Sequence, residues 1–509
     1  MEPVIITGEK LTIQAVWEVC HLRRAVRLNP EVATKVAASR AMVTRYLDEA
    51  VPIYGVTTGF GRFSDVVIPE SDRSQLQLNL LRSHAAGVGA AFPPDVARAM
   101  VLLRANALAK GYSGVRPLLL ERLLDLLNQD VVPVIPSQGS VGASGDLAPL
   151  AHLALVLVGE GEAWHQSQRM PGREALQKVG LAPLRLEAKE GLALINGTQA
   201  MGALGVLGVW RALLLADWAD IVGSLSFQVL RGIESAFAAP VFHVRPHPGL
   251  IHSALNLRHL LAESQLTTRP GELRVQDAYS LRCMPQVHGA SRDALSHVGD
   301  VVEREINSAT DNPLFFPDED QVISAGNFHG QPLALVLDYL GILSAEWANI
   351  SERRIERMVN PALSGLPPFL VMQGGLNSGL MLAQYTAASL VSENKVWAHP
   401  SSVDSIPTSA NQEDHVSMGT TAGRKAHTIL DNLQRVLAIE LMCGVQAADL
   451  LGPELLSPAG RGIWAFVRNL LPSWDKDRVL SPDIETLAQA LASPSGCELV
   501  QALLSGVKR

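Results

Sequence analysis

The sequence predicts an all-α fold, a bundle of long helices with a smaller loop-rich part at its N-terminal end. Three observations support this. Apolar residues recur at spacings of three and four over long stretches of the middle and the C-terminal half. Alternating strand patterns are few and short, and glycine and proline gather in discrete stretches between the periodic segments. An apolar helical stripe must be covered by another element, so several long stripes in one chain predict helix-on-helix packing.

In chain order, residues 1–200 form the N-terminal part and residues 201–509 the long-helix bundle, as one continuous unit with no linker-like composition between them. Turn-rich stretches punctuate the first part at 51–61 and 133–146. The first long helix carries Val206, Trp210, Leu214, Trp218, Ile221, Leu225 and Val229, spaced by fours and a three on one face. A turn-rich stretch at 239–249 precedes the second helix, for which Pro332 is a suitable first-turn residue. Its stripe is Leu333, Val336, Leu337, Leu340, Leu343, Trp347 and Ile350, continued by mixed charges until Asn360-Pro361 ends it. Two more turn-rich stretches, 360–380 and 398–411, lead to a third helix with Ala426, Leu430, Leu433, Leu437, Leu441 and Val445. These connections are long for a bundle, and long ordered loops are where functional groups tend to sit.

Composition narrows the function. Of 509 residues 47% are hydrophobic, too many for a disordered chain. Forty-two Lys+Arg against fifty Asp+Glu, with no long single-sign run, leave no electrostatic footprint for a nucleic acid or an anionic membrane. Aromatic residues, at 5%, are too sparse for base-stacking platforms. Cys20, Cys283, Cys443 and Cys497 are scattered without a CxxC pair, which suits a reducing compartment and excludes a disulfide framework. The first residues lack the basic flank and apolar core of a signal peptide. The most apolar stretches, such as Met201–Trp210, stop short of the ~18 residues of a membrane span, so a cytoplasmic protein is expected. His243, His247 and His252 come nearest to a metal set, but Pro246 and Pro248 break the helical spacing. A surface loop without a metal is the expectation there.

Familiar catalytic templates are missing: there is no GxxxxGK[ST], no GxGxxG after a strand, no GxSxG and no HExxH. What stands out is the run from Gly139 to His152, Gly-Ser-Val-Gly-Ala-Ser-Gly-Asp-Leu-Ala-Pro-Leu-Ala-His. At its centre, Ala143-Ser144-Gly145 can undergo an unusual reaction. The Gly145 nitrogen attacks the Ala143 carbonyl carbon, two waters are lost, and an imidazolone ring forms with an exocyclic methylene from Ser144. Glycine suits the attacking position because it tolerates unusual backbone angles and close approach. Asp146 and the apolar run from Leu147 read as a helix start, whose amide dipoles favour negative charge near the ring.

The surroundings of this tripeptide resemble the MIO-dependent aromatic amino-acid ammonia-lyases, and most closely the branch of that family that acts on histidine. The Gly139–His152 run is similar to the family's ring loop. Tyr54-Gly-Val-Thr-Thr-Gly-Phe-Gly61 resembles its tyrosine loop, and Leu78–Gly89 its ring-selectivity segment. Lys189–Gln199, Val275–Cys283, Thr310–Leu314, Gly326–His329 and Ser409–Val416 match further family segments, in family order.

The resemblance implies a lyase that eliminates ammonia from an amino acid through MIO, formed from Ala143, Ser144 and Gly145 without outside help. The ring overcomes a poor leaving group, and a base removes the weakly acidic β-proton. Tyr54 is the candidate base; a phenol needs its pKa lowered from ~10 to serve near neutrality. Arg282 is expected to clamp the substrate carboxylate with its planar fork. Asn196, Gln276 and Tyr279 are the expected polar partners around the ring and carboxylate, with Tyr279 counted among the catalytic residues. Phe328 is expected to pack beside the ring. Thr310-Asp311-Asn312-Pro313 is read as a structural turn. His84, followed by Ala85, and Glu413 set the substrate, because an imidazole needs partners for both its nitrogens. Glu413 is also a candidate for proton transfer.

These residues imply L-histidine as substrate, with trans-urocanate and ammonia as products, the first step of histidine breakdown. The alternatives are a phenylalanine or tyrosine ammonia-lyase, an MIO-dependent aminomutase, or a scaffold of the same shape without chemistry. His84-Ala85 and Glu413 argue against the other substrates, and retention of Ser144, Tyr54, Tyr279 and Arg282 against the scaffold. The resemblance further implies a homotetramer whose active sites each draw on three subunits. The lack of a long C-terminal extension suggests a compact, bacterial-type enzyme.

Overall fold

The computed structural model describes residues 1–49, 51–59, 63 and 66–507. Phe60 and Gly61, at the end of the tyrosine loop, lie outside the described residues. The fold is all-α, and its strands run two to four residues each. It divides into two compact units, each assembled from three stretches of chain.

The first unit comprises Met1–Trp210, Val298–Asp338 and Pro400–Arg424. Its centre is the helix Pro94–Ala109, started by Pro94 in the first turn and buried continuously from Val96 to Ala109. The helices Ile13–His21 and Pro117–Asn128 pack against it. A helix covered on all sides by apolar neighbours holds polar groups where hydrogen bonds offset their burial, and Arg98, Arg104 and Asn106 are buried on this one. The helices Arg73–His84, Leu147–Leu157 and Glu190–Ile195 pack on one another. Short sheets trim the unit: the parallel pair Val4–Ile6 with Val26–Leu28, and the hairpin Leu314–Phe316 with Gln321–Ile323. Strands Val88–Ala91 and Pro136–Gln138 pair antiparallel and tie the chain after His84 to the approach of the Ser144 loop.

The second unit comprises Arg211–His297, Tyr339–His399 and Lys425–Arg509. The helices Pro248–Leu261, Pro458–Leu470, Ser481–Leu491 and Pro494–Leu504 pack together in it. Trp218 is fully buried there and donates its indole N–H to the Leu491 carbonyl at 2.8 Å.

The three predicted long helices span Gln199–Val229, Gln331–Val359 and Gly419–Leu451. Every residue of the second and third predicted stripes is buried. The first helix departs from its predicted single face. Trp210 and Leu214 are only half-buried, while Val209, Ala212, Leu215, Ala216, Ala219 and Val222 off the stripe are buried too. It is apolar almost all round, which makes it a core helix rather than an amphipathic one.

Contrary to the sequence expectation, two helices, Gln199–Val229 and Gln331–Val359, are long and apolar enough to cross a membrane. Of their most apolar windows, 78% and 67% is buried by protein, as in core helices. The stretch 239–249, expected as a loop, holds the helix Ala239–His243 and the start of Pro248–Leu261. Pro240 and Pro248 sit in first turns, where a proline's missing N–H costs nothing, so they start these helices instead of preventing them.

Candidate active site

The site is built within the first unit around a cavity of about 800 Å³. Tyr54, His84, Ser144, Asn196 and Glu413 all line it, with apolar walls from Leu80, Leu147, Leu192 and Ile195. Five of the predicted residues, scattered over some 360 positions, thus meet at one place.

Tyr54 stands on a tight turn. Val56 and Thr57 donate their backbone N–H groups to the Ile53 carbonyl at 3.1 and 3.0 Å, and Gly55 takes the positive φ of +65°. Thr57 Oγ1 accepts from the Ile53 N–H at 2.7 Å and donates to the Val51 carbonyl at 2.9 Å. Ile53 and Val56 anchor the turn in a cluster with Met42, Val43, Ala188 and Phe315. Tyr54 itself is left half-buried at the cavity.

His84 is the last residue of its helix, and Ala85 closes that helix through a bond to the Leu81 carbonyl. Ser83 Oγ lies 3.0 Å from His84 Nδ1. Burial holds the imidazole pKa below its ordinary value, opposed by the Leu80 backbone and the charge of Glu413. The chain beyond is fixed by His152, whose Nε2 accepts from the Gly87 N–H at 3.1 Å.

The Ala143-Ser144-Gly145 segment is held from both ends. Gly145 has φ +73° and bridges Gly197; a Cβ there would lie 2.2 Å from the Gly197 carbonyl oxygen, so only glycine fits. The Asp146 N–H donates to the same oxygen at 2.7 Å. Asp146 starts the helix Leu147–Leu157, as its sequence suggests, but its carboxylate does not cap it. That carboxylate instead accepts the Met201 N–H at 2.9 Å, in the first turn of Gln199–Val229, along with Ser140 Oγ at 2.9 Å and Thr420 Oγ1. Complete burial raises its pKa against the pull of these donors.

Ser144 Oγ donates to Glu413 Oε1 at 3.1 Å, and Asn196 Nδ2 donates to the Ser144 carbonyl at 3.2 Å. Glu413 is positioned by Thr408, whose hydroxyl donates to Oε2 at 2.6 Å. The two residues also exchange backbone bonds across a bend in which Ser409, Ala410 and Asn411 all take positive φ. Three successive non-glycine residues in that region store strain of roughly 1–2 kcal/mol each, a cost met only where a particular side-chain placement is needed.

The remaining predicted residues do not line the cavity. Phe328 belongs to the same unit, half-buried on the turn Gly326–His329, where His329 stacks on His415 with ring centroids 5.6 Å apart. Gln276, Tyr279 and Arg282 belong to the second unit. Gln276 and Tyr279 are exposed, and the Arg282 guanidinium lies 4.6 Å from the Tyr279 ring centroid. Asp311, on the predicted turn, is more than a turn residue. Its carboxylate and the Lys189 ammonium are fully buried and paired at 2.8 Å.

The sequence pattern of the aromatic amino acid lyases matches residues 11–469. The chain belongs to the aromatic amino acid lyase family. Within it, the chain is 56% identical to the histidine ammonia-lyase of Symbiobacterium thermophilum, over 97% of this chain and 98% of that protein. Among solved structures, the histidine ammonia-lyase from Trypanosoma cruzi superposes with a TM-score of 0.92 at 43% identity, covering 98% of this chain and 95% of that one. The tyrosine aminomutase from Streptomyces globisporus superposes with a TM-score of 0.94 at 41% identity, covering 99% of both chains. The family fold therefore spans lyases and aminomutases, and substrate has to be argued from the cavity.

Sequence reasoning passed over Thr408, which orients Glu413, and Arg104 behind Asn196; Gln199 and Thr310, which also lie behind Asn196, fall in the matched segments but were given no part in the site, Thr310 being read as part of a structural turn. Arg104 carried a signal as the lone charge within the run Met100–Ala109.

Proposed function

We propose that this chain is an L-histidine ammonia-lyase, which eliminates ammonia without oxidation to give trans-urocanate. The observation that carries the reading is an imidazole, His84, and a carboxylate, Glu413, on one cavity beside Ser144. Together they offer a partner to each nitrogen of a substrate imidazole, which a phenyl or phenol ring does not need. The high identity to histidine ammonia-lyases over nearly the whole chain supports it. The likeness to an aminomutase sustains a second reading, return of the amine to the β-carbon, which chromatography of the product separates.

The cofactor in this reading is MIO, formed by Ala143, Ser144 and Gly145. The residues fit it: Gly145 is in the strained, close-approach backbone that ring closure needs, and Asn196 Oδ1 is buried without a hydrogen-bond partner among the described residues. Closure forms the Gly145 N–Ala143 C bond; the Ala143 oxygen leaves with the Gly145 and Ser144 amide hydrogens as one water, and the Ser144 hydroxyl, with its Cα hydrogen, as the second. Held by Ala143, Ser144 and Gly145, the ring would supply an electrophilic carbon, the chemistry that makes ammonia a better leaving group. Tyr54 removes the β-proton, the C–N bond breaks, and a double bond forms between the α- and β-carbons. Glu413 and His84 hold the imidazole, and Asn196 keeps donor and acceptor near the ring.

Gln276, Tyr279 and Arg282 complete the site from another copy of the chain in a homotetramer, Arg282 meeting the substrate carboxylate and Phe328 packing near the ring. Exposed apolar side chains support such assembly, with Leu335, Tyr339 and Ile342 on Gln331–Val359 and Leu382, Tyr385, Val396 and Trp397 on Met381–Trp397. Cytoplasmic location follows from this reading of a metabolic enzyme with dispersed cysteines.

The test is ultraviolet absorbance of the purified protein with L-histidine, L-phenylalanine and L-tyrosine separately. Urocanate from histidine alone is expected. Cinnamate or coumarate as main product would overturn the substrate, and a β-amino acid found by chromatography of the same reactions would establish the aminomutase. Light scattering is expected to give four chains per particle.

A further inference from the structure

We propose that Arg104 is a positioning residue for ring closure, pressing the Asn196–Gly197 peptide against Gly145 from behind. The inference rests on the MIO reading above and assigns a task to a residue outside the cavity lining.

Arg104 is fully buried on the helix Pro94–Ala109. Its Nη1 donates to the Asn196 carbonyl at 2.8 Å and to Gln199 Oε1 at 2.9 Å, and Gln199 Nε2 donates in turn to Thr310 Oγ1 at 2.9 Å. A Cβ on Gly197 would lie 2.3 Å from Arg104 Nη1 and 2.8 Å from the Thr310 carbonyl. On the opposite side, a Cβ on Gly145 would lie 2.2 Å from the Gly197 carbonyl oxygen. Arginine, the Asn196–Gly197 peptide and Gly145 are thus stacked in contact, with both glycines stripped of side chain to allow it. Asn196 and the Asp146 N–H, which bond to Ser144 and Gly197, transmit the placement to the ring-forming tripeptide.

Against the one open nitrogen of Arg98, its Nε, the hydrogen bonding of Arg104 is poorer. Arg104 Nε and Nη2 are buried without partners among the described residues, a costly arrangement. Asp311, whose charge attracts it, has both oxygens engaged by Lys189, at 2.8 and 3.0 Å. Burial pushes the Arg104 pKa down to about 10, against the attraction of Asp311, which leaves the group cationic at neutral pH.

A second buried arginine on the same helix provides the control. Arg98 bonds the carbonyls of Val19 and Leu127 and the Asp130 carboxylate, none of which borders the cavity. Full-length wild type, Arg104→Met, Arg104→Lys and Arg98→Met are compared by intact mass and thermal unfolding. A displacement of about 1 Å slows an intramolecular step by roughly 10²-fold. Freshly purified, folded Arg104→Met is therefore expected largely at full mass, Arg104→Lys in between, and Arg98→Met two waters light despite a comparable loss of Tm. Complete water loss in Arg104→Met, or a loss of cyclisation in Arg98→Met that follows its Tm, would overturn the proposal. Should Arg104→Met give no folded chain, Arg104→Lys and Gln199→Leu decide: full cyclisation in both overturns it, partial cyclisation supports it. Wild type at full mass would instead defeat the MIO reading itself.

Discussion

Arg354 and Arg104 are both fully buried, one in each unit, yet their surroundings differ. Arg354 meets both oxygens of Glu440, which also accepts from Ser226 and Ser351. Alongside, Asp220 takes His288 Nδ1 at 2.8 Å on one oxygen, and Asn256 at 2.9 Å and Arg292 at 2.7 Å on the other. Around Arg104 the matching is incomplete: two of its nitrogens and Asn196 Oδ1 lack partners among the described residues. In the second unit's network Asn256 Oδ1 alone of these groups lacks a partner among the described residues; a nearly saturated buried network specifies one packing, while several open polar groups gathered at depth point to a chemical use. The second unit's network is an anchor; the first unit's is an instrument.

That contrast can be broken at several points. The largest effect is expected from Ser144→Ala, which removes the source of the exocyclic methylene: no two-water loss in the intact mass and no urocanate, at unchanged thermal stability. Tyr54→Phe keeps the ring and the fold but loses the base, so kcat for histidine is expected to fall about 10²- to 10⁴-fold. Arg354→Met is the reverse case. It leaves Glu440 charged and unpaired, and denaturant unfolding is expected to show a loss of roughly 3–5 kcal/mol, with folded protein still two waters light. Glu413→Gln is expected to lower kcat/KM for histidine by about 10- to 200-fold, with a smaller loss for phenylalanine. If both substrates lose equally, Glu413 acts in proton transfer rather than selection.

The smallest effect is a pH dependence. Burial, outweighing the pull of Asp220, holds the His288 pKa below its ordinary 6.5 in the folded protein. As pH falls through 6.5 the unfolded chain takes up this proton and the folded one does not. The stability is thus whole above about 6.5 and drains as pH falls toward the folded pKa, by at most about 1.4 kcal/mol per pH unit. His288→Gln is expected to remove that share of the slope in acid unfolding; an unaltered slope would mean the imidazole is charged in place.

The fold was legible where burial is one-sided. Leu333 to Ile350 repeats at helical spacing because one face meets the core and the other does not, with Leu335 and Ile342 exposed. Where a helix is covered all round, as in Gln199–Val229, the stripe dissolves into general apolarity and its membrane-like length becomes easy to overlook. Of the site, Tyr54, Ser144, Asn196, His84 and Glu413 were legible because each sits in a distinctive local run. Arg104, Thr408 and the Lys189–Asp311 pair were not. For Arg104 and Lys189 the meaning comes from partners far away in sequence, 92 residues for Arg104 with Asn196 and 122 for Lys189 with Asp311, while Thr408 meets Glu413 only five residues on, through a bend that the sequence does not announce.

The assembly of the first unit from three separated stretches has a consequence in time. Ser144 and Glu413 are 269 residues apart, and the Thr420 hydroxyl that holds Asp146 comes later still. A ribosome makes the tripeptide early but supplies the wall opposite it only after four-fifths of the chain has been translated. Synthesis runs at about 5–20 residues per second, so the tripeptide waits roughly ten seconds or longer before its surroundings exist. In the proposed reading, maturation is thereby tied to synthesis past Thr420, and products truncated before it are expected to lack the electrophile.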